Sequence, residues 1–188
     1  MHIASLMRGT GKIVAIEKSA KRAKVLSDTV KLYPCIEVHC ADASKLSERR
    51  SLAIPYVYDR VLIDAPCSGS GNRPRLSLQS ITVKQLKSCQ KIQKSVVKSV
   101  VPLLKPGGCL VYSTCSVFAS ENEDLVAWML KEFPELSLVK QSPYLGRPGY
   151  VRDGLSEKDA SLLQRFDIVP SVSLDSIGFF IALLEKGF

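Results

Sequence analysis

The chain has 188 residues, with 26 Lys and Arg against 18 Asp and Glu, a formal net charge of +8. That length is enough for one domain with a sizeable core, and its apolar runs are too short to span a bilayer. The charge favours polyanionic partners, nucleic acid first, without requiring one; the N-terminus lacks the basic-then-apolar order of a signal peptide, so a soluble cytoplasmic protein is expected, with a nuclear place left open.

Residues 1–8 read as the end of a helix and Gly9-Thr10-Gly11 as a turn. A short buried strand follows over 12–16, with Glu17 at its end. Ser19 is placed to cap a helix over 20–32. Residues 35–40 form the next strand, and Asp42 follows it. Residues 45–58 read as a surface connection into the strand Val61-Leu62-Ile63, which ends on Asp64. Strands alternating with helices predict a parallel sheet with helices on both faces, an α/β fold. Ligands bind such sheets at the carboxyl ends of the strands, so Glu17, Asp42 and Asp64 are expected along that edge.

Arg73 and Arg75 lie in a loop. Thr82 and Gln85 then match a capping box. In the helix behind it, Lys84, Lys87, Lys91, Lys94 and Lys98 fall within about 80° of arc, opposite Leu86, Cys89, Val97 and Val100. The lysines are a solvated face or a phosphate-contacting stripe. Pro102 should kink or end this helix. Lys105-Pro106-Gly107-Gly108 reads as a turn into a strand over 109–113. Ser120 and Glu123 match a second capping box, for a helix over 121–132 that Pro134 ends. Residues 136–139 alternate like a strand, 141–154 are irregular, Ser156 can cap a helix over 157–163, and 176–184 close the chain as a buried strand. A single domain is expected.

Six cysteines are present and none forms a CxxC pair, so no metal site is expected. Cys35, Cys40, Cys89 and Cys109 read as core thiols. Cys67 and Cys115 differ. Each stands where an apolar strand gives way to a loop, in Asp64-Ala65-Pro66-Cys67-Ser68-Gly69-Ser70-Gly71 and in Tyr112-Ser113-Thr114-Cys115-Ser116. Two thiols and an acid at a ligand-binding edge suit a dithiol redox pair or covalent catalysis by one thiol with help from the other.

These two motifs, followed by Glu121-Asn122-Glu123, closely resemble those of the Sun-domain (RsmB-type) RNA cytosine-5 methyltransferases, over essentially the whole chain. Gln164-Arg165-Phe166-Asp167 and Asp175-Ser176-Ile177-Gly178-Phe179-Phe180 resemble the branch that carries a PUA domain and modifies tRNA. The resemblance implies a Rossmann-like sheet using S-adenosylmethionine on RNA, with tRNA the expected substrate. It makes Cys115 the nucleophile that adds to cytosine C6 and gives Cys67 the release of product. Asp64 would bind the cytosine N3 edge near the cofactor, Glu17 the cofactor ribose and Asp42 the adenine side. The base must leave its stack to react. Arg73, Arg75, Lys84, Lys87 and Lys91 are candidates for RNA contacts.

The family pattern also places a strand and a Gly-rich cofactor loop ahead of the segment matching His2 to Met7, and neither is in the chain. The sequence therefore reads as a partial catalytic domain, residues 1–188, expected to bind S-adenosylmethionine poorly. Strands 12–16 and 61–64 would pair directly or keep exposed edges. Two other classes stay open: an RNA- or protein-binding remnant of the same fold, and a thiol redox protein.

Overall fold

The computed structural model describes residues 1–48, 57–72, 81–168 and 176–188. The chain divides into two compact units, Met1–Tyr56 and Val57–Phe188.

The first unit runs α1 (His2–Leu6), β1 (Ile13–Glu17), α2 (Ala20–Thr29), β2 (Ile36–Cys40) and a 3-10 segment, Ala43–Glu48. β1 and β2 pair in parallel, from Ile13 opposite Ile36 to Glu17 opposite Cys40. Ser19 caps α2 as the sequence predicts, accepting from the Arg22 N–H at 3.4 Å. The helix stops at Thr29, short of the expected 32, where the Thr29 hydroxyl turns back to the Val25 carbonyl. All five β1 residues are only half-buried.

The second unit runs β3 (Tyr58–Asp64), α3 (Val83–Val100), β4 (Leu104–Thr114), α4 (Glu123–Glu132), β5 (Leu136–Leu138), α5 (Glu157–Ser161), β6 (Gln164–Phe166) and β7 (Phe179–Lys186). The sheet order is β3-β4-β7-β5, with β6 also on β7. β3 and β4 are parallel, but β7 runs antiparallel to β4, β5 and β6. The wholly parallel sheet expected from the sequence is thus corrected to a mixed one. Alternating apolar residues reveal a strand but not its direction, and β7 is inserted between β4 and β5 against both. Of the two outcomes expected for residues 12–16 and 61–64, direct pairing or exposed edges, the described residues show the second. β1 and β3 belong to different sheets, and among the described residues each has one partner and one open edge.

Thr82 and Gln85 form both halves of their capping box. Val97 and Val100 are buried on the face opposite the lysines, while Leu104, also buried, already belongs to β4. Burial of this kind, about 1.5–3 kcal/mol for a full aliphatic or aromatic side chain, holds the unit together. Its centre is Tyr112 edge-on to Phe180 at 6.5 Å, with Leu110, Leu125, Met129 and Leu184. Lys105 to Gly108 is no separate turn. It lies inside β4 as an irregularity, since Leu104 pairs with Tyr58 and Cys109 already pairs with Arg60. The Ser120–Glu123 capping box is also absent: Glu123 is held by Arg165, and α4 starts after Asn122, whose side chain is bonded to Thr114 and the Ser116 carbonyl instead of capping. Ser156 does cap α5, reciprocally with Asp159. β6 was not expected. Among the described residues no helix is long and apolar enough to cross a membrane.

Candidate active site

β3 and β4 set the site. Their parallel register puts Asp64 opposite Ser113, and the ladder runs one step further through the Ala65 N–H to the Ser113 carbonyl, 3.0 Å. Both chains then leave the sheet side by side. Pro66 has no N–H to continue the ladder, and Cys67 follows three residues past the end of β3 while Cys115 follows directly after β4. Their sulfurs are 3.3 Å apart although the residues are 48 positions apart in sequence.

The two loops brace each other. The Gly71 N–H donates to the Cys115 carbonyl at 2.8 Å, and the Val117 N–H donates to Ser70 Oγ at 3.0 Å. Gly71 must be glycine: a Cβ there would fall 2.1 Å from the Gly178 carbonyl oxygen, whose own N–H donates to the Gly71 carbonyl.

Beneath the thiols lies Glu121, completely buried. Oε2 accepts the hydroxyls of Ser68 and Ser116, each at 2.6 Å. Oε1 accepts the Ser68 N–H at 2.9 Å and Gln93 Nε2 at 3.2 Å. Gln93, buried on α3, also donates to the Pro66 carbonyl. Asn122 accepts from the Thr114 hydroxyl at 2.5 Å and donates to the Ser116 carbonyl at 2.9 Å. Glu123, equally buried, receives Arg165 Nη1 on both oxygens at 2.7 and 2.6 Å and the Tyr150 N–H at 3.0 Å. The three polar residues 121–123 therefore fasten the thiol loops, the end of β4 and the 147–165 region. The sequence shows this triplet as a motif, but apart from Thr114 and Ser116 these partners lie 27 or more residues away.

Burial, and after it the hydrogen bond with Cys115, pushes the Cys67 thiol up to about 12. Cys67 is a thiol at neutral pH and able to donate to Cys115 Sγ. Cys89, on the inner side of α3, is also pushed up, by burial and by the Glu121 carboxylate nearby.

The whole chain except its last three residues, 1–185, matches the family model described as 16S rRNA methyltransferase RsmB/F. The chain belongs to this family. A mouse relative, tRNA (cytosine(72)-C(5))-methyltransferase NSUN6, is 37% identical across 98% of the RsmB/F chain and 45% of its own length. The tRNA (cytosine(72)-C(5))-methyltransferase of Pyrococcus horikoshii is 34% identical across 98% and 43%. A crystal structure of NSun6 from Pyrococcus horikoshii with SFG superposes with a TM-score of 0.83 at 32% identity, covering 98% of this chain and 44% of that one. The RsmB/F chain thus spans about half the length of the curated relatives it matches.

Among the predicted site residues, Cys67 and Cys115 come together as described. Asp64 closes β3 and is exposed, three residues before Cys67. Glu17 and Asp42 belong to the first unit. Glu17 ends β1, accepting from the Ser19 N–H at 2.8 Å and pairing with Arg22 at 3.1 Å. Asp42 lies two residues past β2. The Lys18 ammonium at 2.8 Å, then Ser44, hold its carboxyl well below the usual range. Lys84, Lys87 and Lys91 are exposed on α3. Arg73 and Arg75 lie outside the described residues. Among the described residues no group of three or more His, Cys, Asp or Glu is placed to hold a metal ion.

Proposed function

We propose that this chain carries the two-thiol centre of an RNA cytosine-5 methyltransferase acting on tRNA, with S-adenosylmethionine as methyl donor. The 3.3 Å approach of Cys67 and Cys115 is the observation that carries this reading. Cytosine C5 is a weak nucleophile. Addition of the Cys115 thiolate to C6 forms a C–S bond and moves an electron pair onto C5, a case of covalent catalysis. The cofactor, when bound, supplies an electrophilic methyl group on sulfur. C5 takes the methyl, the C5 proton leaves to a base, and the C6–S bond breaks to return Cys115. Cys67, protonated at neutral pH, stabilises the Cys115 thiolate through its S–H and assists the elimination. Asp64 binds the N3 edge of the base and favours addition at C6.

Glu17 and Asp42 fit a cofactor of this kind. Both carboxylates stand at the carboxyl end of the parallel pair β1–β2, where such sheets take nucleosides, and acid oxygens accept ribose hydroxyls. The exposed Lys84, Lys87 and Lys91 would meet phosphates. The names of the mouse and archaeal relatives favour tRNA.

The test is methyl transfer from isotopically labelled S-adenosylmethionine to cytosine C5 in tRNA and in ribosomal RNA. It uses a polypeptide that holds this chain together with a Gly-rich cofactor loop. Label should enter tRNA, and Cys115→Ala should lower incorporation at least about 10³-fold. Unchanged incorporation in Cys115→Ala would remove the assigned nucleophile.

A further inference from the structure

Cys67 and Cys115 are each followed by serine, and both serine hydroxyls donate to the same carboxylate oxygen, Glu121 Oε2, at 2.6 Å. The other oxygen holds the Ser68 N–H and Gln93, which is itself tied to the Pro66 carbonyl. Four N–H and O–H donors, with the Cys89 thiol nearby, surround an acceptor-only group that has no access to solvent. Three of them come from the residues next to the two thiols, and the fourth links them to α3. Glu121 is fixed in turn from behind, where the Tyr112 hydroxyl donates to its carbonyl at 2.8 Å from inside β4. No donor to this carboxylate comes from either sulfur, so it acts on them through their neighbours.

We propose that Glu121 is a positioning residue. Its carboxylate fixes the residues that follow Cys67 and Cys115 and so sets the separation of the two sulfurs. The proposal rests on the two-thiol reading of the site for its place in catalysis, but its geometric content is independent of that reading. A serine after each cysteine is then required as a second donor to one shared acceptor, and a short flexible loop is converted into a rigid holder.

The test reads sulfur separation directly, on the full chain, without RNA or cofactor. Equilibration with glutathione measures it: the two thiols give two electrons and two protons to oxidised glutathione, which leaves as two reduced molecules, and the Cys67–Cys115 bond forms. Glu121→Gln, which places an N–H₂ where an acceptor was, should lower this equilibrium constant at least about tenfold. Leu184→Ala, a core cavity opposite Leu110 on β7, should leave it within about twofold despite a comparable loss of thermal stability. A wild-type constant in folded Glu121→Gln overturns the proposal, as does an equal fall in Leu184→Ala. Should Glu121→Gln not fold, Ser68→Ala decides. About a threefold fall is expected from one lost hydroxyl, and an unchanged constant overturns it. In the methyl-transfer assay Glu121→Gln should lower kcat with KM for RNA unchanged. If the wild type transfers no methyl yet the glutathione result holds, the functional reading fails and the positioning role stands.

Discussion

Two pairs of carboxylates lie in the two units, and they are held in opposite ways. Glu17 and Asp42 keep 18% and 20% of their side chains in solvent, and their cations, Arg22 and Lys18, are 78% and 75% exposed. Glu121 and Glu123 have no exposure, and Arg165 has 4%. Ion pairs in water are screened and contribute little. A buried carboxylate must have every lone pair answered, or it would not stay charged in that place. The half-buried pair keeps some solvent access at the end of β1 and β2. The buried pair is fully engaged in holding the thiol loops and the 147–165 region.

The sharpest way to break this distinction is Arg165→Ala. It leaves Glu123 buried without its cation and should cost about 3–5 kcal/mol in urea unfolding. A loss below about 1 kcal/mol would place Glu123 with the loosely held acids of the first unit.

Cys67 extends the contrast to pH. Its folded value of about 12 lies above that of a free thiol, about 8.5. Between those values the folded chain keeps a proton the unfolded chain has lost. The contribution is therefore complete below about pH 8.5 and disappears as pH rises toward 12. The stability advantage of wild type over Cys67→Ala should shrink from pH 8 to pH 10 in urea titrations. A constant difference would mean that burial does not hold the thiol.

The smallest effect belongs to the half-buried pair with exposed cations. Lys18→Ala should change stability by less than about 1 kcal/mol, and raised salt should erase even that. A cost of 3 kcal/mol would make Asp42 a structural acid.

Most of the site's positions were legible because strand ends are local signals. Val61-Leu62-Ile63 before Asp64 marks an edge, and Leu110 to Ser113 before Cys115 marks its neighbour. Local capping was legible too, at Ser19, Thr82 and Ser156. The failure at Ser120 has a long-range cause. Arg165 lies 42 residues from Glu123 and takes the carboxylate the cap would have used. The same reason hid Glu121: besides nearby Ser116, its donors come from positions 68 and 93, and no periodicity connects them. The direction of β7 was hidden because strand patterning reads the same both ways.

In the proposed division of labour, Cys115 forms the bond to the base and Cys67 releases it. Denaturing gel electrophoresis after incubating Cys67→Ala with tRNA and methyl donor tests it most directly. A slow-migrating covalent RNA–protein species should accumulate in Cys67→Ala and be absent from the Cys67→Ala/Cys115→Ala double variant. No such species in Cys67→Ala, or its persistence without Cys115, would contradict the assigned roles.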